Sequence, residues 1–141
     1  MSGLTATLAS QLTAQKLAPT VRGPDDLPRV RVAVIEHTAS VRFADRRGLR
    51  RRTFAELDQA LAALERGEVD AVIEDAPNLQ YFANTSHPHI RVLPGTFLNH
   101  GYAFGLRPDS ALRHDFNRAM LKVTNSDAWR SLLANYLGSA D

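Results

Sequence analysis

Two β-branched runs constrain this chain most: Val30–Ile35 (VRVAVI) and Val69–Ile73 (VDAVI). Both are short and largely apolar, so each reads as a strand buried in the interior of a sheet. Strands of that kind are usually parallel, and parallel strands need a long crossover between them. The intervening residues can supply one. Phe54, Leu57, Leu61 and Leu64 fall on one helical face, Thr53 and Glu56 have capping-box spacing, and Gly67 suits the position just past a helix C-terminus. The spacing predicts a helix over 54–66.

The rest of the chain continues the alternation. Asp75-Ala76-Pro77 reads as a helix start, with an acid at the N-terminus and proline in the first turn, and Tyr81 and Phe82 pack from that helix. His87-Pro88-His89 is a surface loop before a short strand at 90–93, and Tyr102–Leu106 is a further strand. Ser110 caps a helix at 111–123 with Leu112, Phe116, Ala119, Met120 and Val123 on one face. Ser126 caps another at 127–137, with Trp129, Leu132, Leu133, Tyr136 and Leu137 inward. Upstream, Leu4, Leu8 and Leu12 form a narrow helical stripe, Leu12–Leu17 suits a strand, and Gly23-Pro24-Asp25-Asp26 is a turn or short helical start. Strands alternating with helices imply an α/β fold with mostly parallel strands.

Composition closes off several classes. The 141 residues suffice for one domain with a real core, and a formal net charge of +2 is too small to argue for nucleic acid. There is no cysteine, hence no disulfide, thiolate metal site or cysteine nucleophile. No apolar run reaches the ~18 residues of a membrane span, and the first twenty residues lack the basic and apolar regions of a secretory signal. Hydrolase, zinc-protease and phosphate-loop motifs are absent from the sequence, no third ligand has metal-site spacing to His87 and His89, and no cofactor is implied.

Three features carry possible chemistry. Asp75 follows the strand VDAVI directly, where open α/β sheets bind ligands beyond their strand ends; a carboxylate there suits a ligand ammonium and equally a plain helix cap. His37-Thr38-Ala39-Ser40 follows VRVAVI in the same way. Free N–H groups at such a helix start attract carboxylate or phosphate, although an ordinary capped helix has the same pattern. Arg42, Arg46, Arg47, Arg50, Arg51 and Arg52 form a basic cluster suited to an acidic partner, or to a solvated face and an edge strand protected by charge.

The order of these pieces resembles a known family. LPRVRVAVIEHTAS is similar to the segment of type II solute-binding proteins that leads into a Gly-Thr/Ser-Thr ligand loop. ALAALERGEVDAVIEDAPNLQYFA is similar to the family's helix, its VDAVV strand and the acidic residue and proline that follow. GYAFGLRPDSALRHDFNRAM resembles the returning strand and helix, and YLG the closing motif. TATLASQLT (Thr5–Thr13) is similar to the signature that ends the third membrane helix of ionotropic glutamate receptors, with Thr7 for the usual Asn and Gln11 for the usual Phe.

This resemblance implies a three-layer α/β lobe of a type II periplasmic-binding-protein-like fold, with the first lobe missing. It divides the chain into an N-terminal segment at 1–22, ligand-binding lobe two at 23–100, and a returning hinge strand with C-terminal helices at 101–141. The hinge strands would be about 12–17 and 102–106. Asp75 matches the residue that holds a ligand α-amino group, and Thr38 and Ala39 match the carboxylate-binding loop, with His37 and Ser40 beside them. His37 stands where the family usually has glycine. The implied function is amino-acid-type solute binding, without catalysis, in a glutamate-receptor-like channel or receptor. The alternatives are a truncated substrate-binding protein of an ABC amino-acid transporter and a protein-interaction module using the Arg cluster. The implied partners are the solute, a first lobe or partner chain, and a second copy, with no nucleic acid and with a membrane only through a parent channel or transporter. The family places such lobes in the periplasm or cell envelope; the leaderless sequence by itself points to the cytoplasm.

Overall fold

The computed structural model describes residues 3–11, 21–95 and 97–137. Among these residues six strands form one sheet: β1 (Gly3–Gln11), β2 (Val32–Ile35), β3 (Arg51–Phe54), β4 (Ala71–Asp75), β5 (Ile90–Val92) and β6 (Leu98–Gly101). Five helices accompany them: α1 (Ala39–Arg46), α2 (Leu57–Glu65), α3 (Ala76–Thr85), α4 (Arg113–Thr124) and α5 (Asp127–Leu137). The sheet runs β3-β2-β4-β1-β5, with β6 also paired to β1. A 3-10 turn at Pro24–Arg29 precedes β2, where a turn or short helical start was expected.

The two β-branched runs are the centre of the sheet. β2 pairs in parallel with β3 on one side (Val32↔Arg51) and β4 on the other (Val32↔Ala71). Alternate residues feed opposite faces. Val32, Val34 and Ile73 pack with Phe43 and Ala44 of α1, whereas Ala33, Ile35 and Val72 pack with Leu61 and Leu64 of α2 and Leu79 of α3. The result is the expected three-layer arrangement, α1 on one face of the sheet and α2 with α3 on the other.

The predicted end of α2 holds in detail. Gly67 has φ 71, the left-handed geometry that glycine adopts without a Cβ penalty. Its N–H donates to Leu64 O at 3.0 Å, and Glu68 N–H donates to Ala63 O at 2.9 Å, so two terminal carbonyls gain partners. The start does not hold. The Thr53–Glu56 capping box is not formed: Thr53 lies in β3, and α2 begins at Leu57 with Glu56 as an N-cap that makes no side-chain capping bond. Sheet pairing took the residues that the helical pattern had claimed.

Three other expectations change. The Leu4, Leu8, Leu12 spacing does not produce a helix: residues 3–11 form β1, antiparallel to both β4 (Leu8↔Ile73) and β5 (Ala9↔Val92), with Ala9 fully buried. The strand expected at Tyr102–Leu106 is replaced by β6 at Leu98–Gly101. His87 is not on a surface loop but buried, with Asp58 Oδ1 3.1 Å from its Nε2 and Glu65 Oε2 3.1 Å from its Nδ1, both from α2. The two carboxylates approach different ring nitrogens, so they clamp the ring rather than converge on a common metal position. The hinge strand proposed for 12–17 lies outside the described residues.

Candidate functional site

The chain connection makes a switch point at one end of the sheet. From β2 the chain passes through α1 on one face of the sheet to β3, and from β4 it passes into α3 on the opposite face. The loops that leave the neighbouring ends of β2 and β4 therefore diverge. An open α/β sheet takes ligands in such a gap, beyond the carboxyl ends of its strands. His37–Ser40 leave β2, and Asp75 ends β4.

Each wall has a local cause. α1 starts with Thr38 as N-cap in extended geometry, but the Thr38 hydroxyl turns back to donate to Ile35 O at 2.8 Å rather than capping the helix. This leaves the first N–H groups of α1 without that side chain as an acceptor, and such groups suit an anion. Ala39 is half-buried and Ser40 is buried. His37 has φ 61, so a non-glycine residue holds a left-handed position here. On the other wall Asp75 is the extended N-cap of α3, without a side-chain capping bond to the helix, and Pro77 lies in the first turn.

Two residues that sequence reasoning did not select join the site. The Tyr102 hydroxyl, from the returning segment after β6, donates a hydrogen bond to Asp75 Oδ2. Loss of solvation at the hydroxyl, then the bond to the carboxylate, pushes the Tyr102 pKa up to about 12, although the side chain as a whole is largely exposed. Glu74 is buried at the end of β4, with Oε2 3.5 Å from Ser40 Oγ, so the two walls touch beneath the gap. Burial raises the Glu74 pKa; hydrogen bonds from the Asp75 backbone, Ser40 and Asn78 oppose that rise, and the nearby Asp75 charge adds to it. The signal in the sequence was a glutamate at the end of an apolar strand. For Tyr102 nothing local distinguished it, because its partner is 27 residues away.

Comparison with known structures places this arrangement. The ligand-binding core of GluR0 in complex with L-glutamate matches 97% of the chain with a TM-score of 0.81 and 27% identity. The fold is that of a type II periplasmic-binding-protein-like lobe. The GluR0 core from Nostoc punctiforme with L-glutamate matches with a TM-score of 0.77 and 20% identity, and an arginine-binding protein from T. maritima with 0.72 and 19%. Among curated proteins, glutamate receptors 2.5 and 2.6 of Arabidopsis thaliana are each 28% identical, over 91% and 94% of the chain. No family model matches. The chain spans 15% of each plant receptor and 62% of the Nostoc core. By their names, these solved structures are ligand-binding cores and a binding protein.

Proposed function

We propose that this lobe forms one wall of an amino-acid-binding cleft. The observation that carries this reading is the divergence of the connections that leave the neighbouring ends of β2 and β4, one starting α1 and the other ending in Asp75, in a fold shared with amino-acid binders. Asp75 is the partner for the ligand ammonium. The α1 N-terminus, through Thr38, Ala39 and Ser40, is the partner for its carboxylate, and His37 sets the height of that loop. Tyr102 holds Asp75 when no ligand is there and yields one carboxylate oxygen when one arrives. The segment 23–100 is the ligand-facing lobe, and 101–141 brings Tyr102 and the C-terminal helices to it.

A cleft ligand gains affinity by burial between converging walls. One wall leaves its ion pairs facing water, worth about 0–1 kcal/mol each, below the cost of immobilising a ligand. The described residues alone are therefore expected to bind free amino acids in the millimolar range or weaker. The opposing wall has an obvious place to dock. Leu121, Val123, Leu132, Leu133 and Tyr136 on α4 and α5 are exposed, and no residue of either helix is buried. The receptor-like setting is favoured over a transporter setting by the plant receptors and the GluR0 core, whose identities exceed that of the arginine-binding protein.

The test is an amide-shift NMR titration of the chain with L-glutamate, L-glutamine and L-arginine. The expected result is fast-exchange shifts confined to residues 37–40, 75 and 102, with millimolar midpoints, lost in Asp75→Asn. Shifts elsewhere, or none with any amino acid, would remove the site. With the second wall supplied, Asp75→Asn should weaken binding by about 2–5 kcal/mol, as expected when a buried charge loses its partner.

A further inference from the structure

The opposite end of the sheet has a different chemistry. Arg31, Arg50, Arg51 and Arg52 line a shallow depression of about 430 Å³ at the start of β2 and along β3, together with Glu68 and Val69. Three of the four guanidinium groups are held in place by carboxylates of the chain: Arg31 by Asp70 (2.7 Å), Arg51 by Asp45 (2.6 Å) and Arg52 by Glu68 (2.7 Å). Arg50 donates instead to the Arg29 carbonyl at 3.1 Å. Arg52 also lies over the Phe54 ring, 4.9 Å from its centroid. These anchors limit the freedom that binding would otherwise remove, and Arg forks suit carboxylates in particular.

Among the described residues β3 is also the edge of the sheet, paired only to β2. Val32 N–H donates to Arg50 O and Glu36 N–H to Phe54 O, so the even-numbered carbonyls of this strand face β2. By the two-residue period, the N–H and C=O groups of Arg51 and Thr53 face away from the sheet. Their side chains also divide. Arg52 sits with Phe54 on the α2 face and pairs with Glu68 just beyond α2, whereas Arg51 reaches Asp45 on α1. Guanidinium groups thus flank both faces of an open backbone edge.

We propose that this edge docks an extended acidic segment of another protein, which adds to the sheet as a further strand. Main-chain bonds to Arg51 and Thr53 supply the pairing, and carboxylates on successive residues meet arginines above and below. An anionic membrane would use the charge alone. The combination of a free backbone edge with arginines on both faces favours the strand. The assignment stands apart from the ligand site and does not depend on it.

The probe is a short fluorescein-labelled peptide in which pairs of Glu alternate with Val, compared with its Gln counterpart and with phosphatidylcholine vesicles carrying or lacking phosphatidylserine. The acidic peptide should bind and the Gln peptide should not. Hydrogen exchange at the Arg51 and Thr53 amides should slow on binding. The double change Arg50→Ser with Arg52→Ser should weaken binding about tenfold or more, and Arg→Lys at both positions should restore part of it. Thr53→Pro removes one outward N–H and no charge, is tolerable on an edge strand, and should weaken the peptide by about tenfold. Peptide binding that Thr53→Pro leaves unchanged, with no protection of those two amides, would overturn the proposal. So would preference for phosphatidylserine vesicles over the peptide. If Thr53→Pro lowers the melting temperature, amide protection in the unaltered chain decides.

Discussion

Helices α2 and α3 of the 21–95 region and the C-terminal helices are amphipathic to a similar degree, yet the two regions end in opposite states. In the first region Val32, Val34, Ile73, Leu61 and Leu79 are almost fully removed from water. In the second, no residue of α4 or α5 is buried, and Leu121, Leu132 and Tyr136 remain largely exposed. α5 touches the lobe through ring stacking of Tyr136 on Tyr81, with centroids 6.3 Å apart, and Phe104 packs edge-on against Phe116. The apolar period of a helix says that one face wants a cover. It does not say whether the cover is in the same chain.

That contrast can be tested residue by residue. Ile73→Ala removes a fully buried side chain between strand and helix and should lower unfolding stability by about 2–5 kcal/mol in urea titrations. A loss below 1 kcal/mol would mean that the lobe is packed no better than the helices. His87 sharpens the picture of how α2 is fastened. Burial alone would lower its pKa, but the flanking Asp58 and Glu65 carboxylates prevail and raise it. A raised folded pKa means that this contribution is complete below the ordinary histidine value near 6.5 and fades as pH rises through the folded value. The urea midpoint should therefore fall as pH rises above the ordinary histidine value near 6.5, and His87→Gln should flatten that dependence. A midpoint that rises with pH in the unaltered chain would refute the clamp. His37→Gly relieves a left-handed non-glycine backbone and should stabilise by up to about 1 kcal/mol, read as a higher melting temperature. The smallest effect on stability belongs to Leu132→Ser, within about 0.5 kcal/mol. It should nevertheless reduce self-association in sedimentation velocity, because the exposed face loses apolar area. A large stability loss there would show that α5 is already part of the core.

The parts legible in the sequence were those whose local pattern and final environment agree. β2 and β4 are β-branched and lie inside the sheet; Gly67 and the Asp75-Ala76-Pro77 start keep their roles. The edge strand was foreseen only as a possible use of the basic cluster, since Arg51-Arg52-Thr53 offers no apolar alternation and Thr53 mimics a cap. β1 was missed because leucines four apart fit a helix, whereas tertiary pairing with β4 and β5 decides the matter. The candidate site divides in the same way. Asp75 and residues 37–40 could be named from strand ends, and the structure brings them to one edge. Tyr102 and Glu74 could not, since one acts across the fold and the other through burial.

The place of β1 has a consequence in time rather than space. β1 lies between β4 and β5, and its partners run from residue 72 to residue 101. During synthesis those first residues emerge long before anything they pair with. The β2–α1–β3 unit can organise early from near neighbours, but the sheet cannot be completed until β5 and β6 are available. Such long-range pairing closes a large loop before it is rewarded, which slows folding and leaves a strand with unpaired edges in the meantime. Refolding of this small lobe should therefore be slower than its helix content suggests, with β1, β5 and β6 protected from exchange later than β2, β3 and β4.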